Sequence, residues 1–377
     1  MRSSARSSAR SGVRLAAAAV VLAGVVTTAG PASAAAGCAP KIQVLGSLGT
    51  SAYDPGNPQT EGVLALGAGR LSVGVSGARP VFWTGATLHR VPLPTADARG
   101  ELVAANKGGL MVGRVLGADG YVFTYRAGAP AITRLPGSDY AYGDADVNDA
   151  GYVVSRDGTG VGLVWKDGLK ARELPLPGDA GPGTRLDLVT AVNNKGDVLG
   201  MARQDYEDPE TGAHHQGTYP VIWPGDGGPA KALAPTAQES HVQDLDEAGR
   251  VVGYDWYGPG YRFTPWTWAP PYSAPGTSPG VLNTHPYGTF EAIGPNSGVS
   301  VGTARFHPEE QAVPDQAQLW PGTGPVLALP RLSPNRASTA ASVADDGRVG
   351  GAAINAKGTL KPVIWTCATR QAYLPQP

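Results

Sequence analysis

Two short patterns alternate along this chain, seven times each, and the alternation limits the folds open to it more than any other feature. One is a turn leading into a short apolar run: "GAGRLSVG" from Gly67, "NKGGLMVG" from Asn106, "NDAGYVVS" from Asn148, "NNKGDVLG" from Asn193, "DEAGRVVG" from Asp246, "PNSGVSVG" from Pro295 and "ADDGRVGG" from Ala344. In the first copy the turn glycine stands one position early. The other pattern is an apolar run closed by an aromatic, at Trp83, Tyr125, Trp165, Trp223, Trp268, Trp320 and Trp365. Successive turns lie 39, 42, 45, 53, 49 and 49 residues apart, which is room for the four short strands of a propeller blade.

Each unit carries the remaining strands as well. A stretch such as "ARELPLP" or "VLALP" follows the aromatic, and one such as "LDLVTAVN" precedes the turn. In "PVIW" the Val and Trp point to one side and the Ile to the other, yet all three are apolar. A strand buried on both faces suits a blade held between two others. The 53 Gly and 34 Pro supply corners in quantity. At a corner such as Asn193-Asn194-Lys195-Gly196, the spacing predicts a type I turn with Asn193 capping it and Gly196 at positive φ. The expected fold is all-β: a seven-bladed β-propeller of four-stranded blades.

The two ends bear on how the ring closes. "KIQVLGSLG", from Lys41, looks like the strand that follows an aromatic, but it has no blade of its own to finish. It is expected to join the last blade, so that the ring is closed by both termini. The chain's two cysteines, Cys38 and Cys367, then meet just beyond Trp365 and form one disulfide. A bridge closing so long a loop removes about 5 kcal/mol of denatured-state entropy in the chain-entropy account.

The alternation of an N-x-x-G-x-V-V-G turn with a strand ending in Trp resembles the HAF-repeat family of secreted bacterial proteins. In that family the aromatic strand often reads His-Ala-Phe-x-Trp. This chain keeps the Trp but places Arg79-Pro80-Val81-Phe82, Tyr219-Pro220-Val221-Ile222 and Lys361-Pro362-Val363-Ile364 before it. The resemblance spans nearly all of the chain beyond its first 34 residues. It implies an extracellular propeller and brings no catalytic residues.

Residues 1–34 read as a cleaved signal peptide: Arg2, Arg6, Arg10 and Arg14, then "LAAAAVVLAGVVTTAG", then Ala32-Ser33-Ala34 in the A-x-A form. Residues 35–377 are expected to form a single β-propeller domain. Without the leader the chain holds 26 basic and 31 acidic residues, a net charge of −5. That balance argues against nucleic acid as a partner. No later stretch of about 18 apolar residues occurs, so no membrane insertion is expected.

Three stretches stand out against the repeat. "YDWYGPGYRFTPWTWAPPY", from Tyr254, gathers aromatics around a Gly-Pro-Gly turn. Trp268 fills the repeat's own aromatic slot. Trp256, Tyr257 and Tyr261 are assigned to a loop between two inner strands, and Trp266 stands where other units have Val. These four are the candidate ligand-binding residues, since flat aromatic faces stack on sugars or grip proteins. "RQDYEDPETGAHHQGTYP", from Arg203, lengthens unit four and reads as a solvated polar loop rather than a metal site. "DADVNDAG", from Asp144, begins like a calcium loop, but Asp149 and Ser155 stand where Gly and Glu are required.

No G-x-S-x-G elbow, H-E-x-x-H or phosphate loop occurs, and the six histidines share no spacing. No cofactor and no catalytic residue is assigned. The expected function is that of a secreted, non-catalytic binding or scaffold module, a monomer, whose ligand is an extracellular carbohydrate or protein. The alternative is a propeller hydrolase acting on an extracellular polysaccharide through carboxylates from several blades. The leader makes a direct prediction. Exported protein should begin at Ala35 on N-terminal sequencing, and an intact Met1 in the culture medium would contradict the assignment.

Overall fold

The computed structural model describes residues 38–49, 60–139, 144–207, 214–234, 239–257, 262–306 and 313–376. They form seven antiparallel sheets, one for each repeat unit. Blade 1 runs Glu61–Leu66, Leu71–Ser76, Arg79–Thr84 and Thr87–Arg90 from the inside outward. The first strand of every unit lines a central channel. Six sheets have four strands. In blade 5 the fourth is reduced to a single bridge between Thr267 and Thr277. The cause is local: Pro270, Pro271, Pro275 and Pro279 follow Trp268 and leave few N–H groups for a ladder.

The third strand of each blade shows why the blades stack. Val221 and Trp223 pack with Val154, Val164 and Leu186 toward blade 3, while Ile222 packs with Leu233, Val242 and Val251 toward blade 5. Likewise Val81 and Trp83 sit with Leu45 and Ile364 of blade 7, whereas Phe82 sits with Leu102 and Phe123 of blade 2. Truncating a buried aromatic of this kind to alanine costs about 3–5 kcal/mol.

The indoles do more than fill space. The Trp83 Nε1 donates to the Gly46 carbonyl at 2.8 Å, Trp165 to Pro136 at 2.8 Å, Trp268 to Ala234 at 3.1 Å and Trp365 to Pro330 at 2.8 Å. Trp223 donates to Pro175 in the same way. In each case the acceptor follows the outer strand of the preceding blade. Blades 2 and 6 lack the link: the Tyr125 hydroxyl bonds Ala129, and the Trp320 indole bonds Gly324, both within their own blades.

Both termini close the ring. Lys41–Val44 is the outer strand of blade 7 and pairs with Leu360–Thr366 in the register Lys41↔Thr366 to Val44↔Val363. Cys38 and Cys367 form a disulfide, with their Cα atoms 6.0 Å apart. The Thr366 hydroxyl donates to the Ala39 carbonyl at 2.7 Å, and the Arg370 guanidinium to that of Cys38 at 3.1 Å.

The eighth residue of the turn pattern is glycine in six units and Ser155 in blade 3. In those six blades the inner strand carries a β-bulge opposite that glycine, skipping Leu64, Val103, Gln243, Glu291 and Ala341, and in blade 4 Asp187 and Thr190. A Cβ on Gly302 would run into the Thr289 carbonyl oxygen, because the bulge draws that carbonyl across the second strand. Blade 3 pairs Ala145↔Ser155, Asp146↔Val154 and Val147↔Val153 with no shift, and Ser155 fits there.

This coupling sets a test. Gly302→Ala should lower stability by about 1–3 kcal/mol through overpacking. Ser155→Ala should cost about 1 kcal/mol, for the hydrogen bond its hydroxyl makes to the Asp144 carbonyl at 2.9 Å. Denaturant unfolding of both variants checks the pair. An unaffected Gly302→Ala protein would refute the bulge account.

Candidate functional site

The seven corners meet at one end of the channel, where from blade 2 round to blade 1 each bonds to the next. Asn106 Nδ2 donates to the Asn148 carbonyl, Asn148 Nδ2 to that of Asn193, each at 3.0 Å, and Asn193 Nδ2 to that of Asp246 at 3.3 Å. A second course lies outside the first. Asp149 accepts the Lys107 N–H at 2.9 Å, and Asn194 Oδ1 accepts the Asp149 N–H at 2.7 Å. Asn194 Nδ2 donates to Glu247 Oε1 at 2.7 Å, and the Glu247 N–H to the Pro295 carbonyl at 2.8 Å. Asp345 then accepts the N–H groups of Asn296 and Ser297 at 2.9 and 3.0 Å. Arg348 joins blade 7 to the Gly67 carbonyl of blade 1 at 2.9 Å.

Asn193 also caps its own corner, as the sequence suggested. Its Oδ1 accepts the N–H groups of Lys195 and Asp197 at 3.1 and 3.0 Å, and Gly196 has φ 86°. The corner of blade 6 is one residue longer. Pro295 has no N–H to close it, so Gly294 donates to the Val299 carbonyl instead.

Deeper in, two aspartates tie further junctions. Asp146 Oδ2 accepts the Val192 N–H of blade 4 at 2.8 Å, and Asp244 Oδ2 accepts the Ile293 N–H of blade 6 at 2.9 Å. Burial pushes the Asp146 carboxyl up to about 6. Burial, and after it the Asp146 charge, push Asp244 up to about 7. The stretch that resembled a calcium loop thus supplies a bond between blades. Among the described residues, no group of three or more His, Cys, Asp or Glu is arranged to hold a metal ion.

The opposite end, where second strands turn into third strands, carries charges of both signs. Glu61 accepts the Ser76 hydroxyl at 2.8 Å and the Gly77 N–H at 3.1 Å, and burial raises its pKa. Arg114 pairs with Glu101 and approaches Asp144 at 4.0 Å. Glu291, the bulged residue of blade 6, accepts the Thr289 hydroxyl at 2.6 Å, and burial raises its pKa as well. Arg305 completes the wall. The channel as a whole, from the corners to this end, encloses about 670 Å³.

The aromatic candidates lie on blade 5 at this end. Trp256 and Tyr257 end the second strand, Val251–Tyr257, in pairs with Phe263 and Arg262, so they belong to a strand extension and not to the expected loop. Trp256 is 36 % exposed. Its ring lies 6.4 Å from Phe263 and 6.3 Å from His241, and His241 stacks on Tyr254 at 5.1 Å. Trp266 is half-buried against the core between blades 4 and 5, with its Nε1 enclosed and unpaired. Tyr261 lies outside the described residues, as does the middle of the polar insertion, residues 208–213. Of Tyr257 only the strand position is described.

Sequence reasoning singled out neither Arg114, Glu291 nor Arg305. A signal existed: Glu291 sits at the bulge position that Leu64, Val103 and Ala341 fill elsewhere.

No family model matches the chain, and no curated protein matches it. Solved structures do. The WD40 β-propeller domain of Doa1 aligns over 86 % of this chain and 97 % of its own, with 13 % identity and a TM-score of 0.48. The computationally designed Ika8 protein aligns over 86 % and 99 %, with 14 % identity and a TM-score of 0.42. TolB from Acinetobacter baumannii aligns over 70 % and 64 %, with 9 % identity and a TM-score of 0.41. None of them lends a site residue or a ligand to this chain.

The raised aspartates give the channel a pH signature. A carboxyl whose folded pKa lies above its unfolded value adds stability below the unfolded pKa, and that stability is lost as pH rises through the folded pKa. For Asp244 the window runs from about pH 4 to about pH 7. Asp244→Asn can still accept the Ile293 N–H but cannot ionise. Its melting temperature relative to the parent should therefore rise steadily from pH 4 to pH 8 or so. A constant difference in thermal melts would refute the assignment.

Proposed function

We propose that this chain is an exported, non-catalytic propeller module that binds an extracellular carbohydrate or protein. The observation that carries the reading is Trp256. A large indole is displayed at the hairpin end of blade 5, in an aromatic cluster with Phe263, Tyr254 and His241, and the Phe263 ring lies under Arg305 of the channel wall. Exposed aromatics of this kind supply contact area at little entropic cost. The Cys38–Cys367 bridge supports an oxidising compartment. Among the described residues no helix is long and apolar enough to cross a membrane. The protein acts as a monomer in this reading, with specificity held in the strand extensions and loops that depart from the repeat.

A second reading, a hydrolase of extracellular polysaccharide, draws on a different observation. Glu101 and Asp144, from neighbouring blades, both reach the Arg114 guanidinium, so two carboxylates do converge in the channel. Glu101 is engaged in an ion pair, and Glu291 accepts a hydrogen bond from the Thr289 hydroxyl, which favours binding over chemistry.

The test is a glycan and cell-wall pull-down with the parent and Trp256→Ala. The variant should fold normally by circular dichroism and lose about tenfold or more in affinity. Unchanged retention would remove the aromatic platform from the proposal. Release of reducing sugar that stops in Asp144→Asn would favour the hydrolase.

A further inference from the structure

Arg305 ends the second strand of blade 6, Ser300–Arg305, and its side chain lines the channel. Its guanidinium lies over the Phe263 ring of blade 5, 5.9 Å from the centroid. Its Nε is buried and has no hydrogen-bond partner. The contrast with Arg114 is informative. Arg114 stands in the same wall, and both its Nε and its Nη2 donate to Glu101. Burying a guanidinium donor with no acceptor is unfavourable, and the fold gains nothing evident from it, because the ring contact with Phe263 leaves the donor unmet.

The surroundings define what would meet it. Asp144, Glu291 and Arg305 line the same channel, and Tyr254 meets the Phe263 ring under Arg305 edge-on, with centroids 5.2 Å apart. They come from blades 3, 5 and 6. Asp144 keeps 41 % of its side chain exposed, and Glu291 projects from the bulge. One buried Nε–H without an acceptor therefore lies in the same channel wall as two carboxylates able to accept hydrogen bonds from hydroxyls, with aromatic rings alongside.

The geometry points to the hairpin end of the channel as a binding site for a sugar acid, its carboxylate held by Arg305 and its ring hydroxyls by Asp144 and Glu291. A guanidinium recognises a carboxylate through paired N–H donors, and planar carboxylate groups are what its fork fits best. A neutral sugar could offer the Nε a hydroxyl oxygen, but neither the charge nor the paired planar acceptors of a carboxylate. The inference rests on the carbohydrate branch of the proposed function and names the chemical class within it. The site lies inside the channel, apart from the outer face of Trp256.

Isothermal titration of the full chain with tri-galacturonate and with the neutral trimer of galactose tests it. Tri-galacturonate should bind, and the neutral trimer should bind at least about tenfold more weakly. Arg305→Gln should erase that preference while its melting curve stays close to the parent's. Arg305→Lys keeps the charge without the fork and should lose most of the preference. Equal binding of both trimers would overturn the sugar-acid assignment and leave the carbohydrate reading standing. Binding of neither would overturn both. An acidic preference that survives Arg305→Gln would place the anion elsewhere and overturn this site.

Discussion

Third strands such as those of blades 1 and 4 are apolar on both sides, and such a strand has no stable position except between two sheets. Val221 and Trp223 look one way and Ile222 the other. A closed ring is the arrangement that leaves no blade with a bare face. The polar groups follow the same logic. Each buried indole N–H needs an acceptor, and five find one at the end of the outer strand of the preceding blade. Packing and hydrogen bonding thus join the same pairs of blades at different radii: indoles outside, corner side chains around the channel.

The channel wall is where scaffold and function compete for the same residue types. Asp146 and Asp244 lie in a region that could hold a ligand, yet each gives an oxygen to a backbone N–H of the neighbouring blade. Glu61 is likewise committed to Ser76 and Gly77. Counting acids in the cavity therefore misleads about chemistry, since many of them are committed to bonds within or between the blades. The informative groups are those left after these duties are subtracted. They cluster at the hairpin end on blades 3, 5 and 6.

Much of the fold was legible in the residues because repetition makes each observation seven observations. The corners, the aromatic slot, the double-sided burial and the closing strand were all read from spacing and held in the structure. The bulge was not read, although its mark was present: glycine at Gly74, Gly113, Gly200, Gly253, Gly302 and Gly351, and Ser155 where the bulge is missing. The site was far less legible. The surplus of aromatics marks Trp256 in the sequence, but the pairing of Trp256 with Phe263 and Tyr257 with Arg262 makes its segment a strand extension, which aromatics around a Gly-Pro-Gly turn do not reveal. Arg305 and Glu291 come together only through the closeness of neighbouring blades, which no local pattern encodes. Asn193 read correctly as a cap, yet its second bond, to a corner 53 residues further on, depends on the ring being formed.

The strand Lys41–Val44 has a temporal consequence. It is made long before Leu360–Thr366, its sheet partner among the described residues. Until that strand emerges, the chain holds an unpaired edge on one side and an unfinished blade on the other. Contacts of such sequence separation form slowly, and exposed edges invite wrong pairing in the meantime. The lone pair of cysteines lies at this junction, so the bond between them latches the same seam that the closing strand makes.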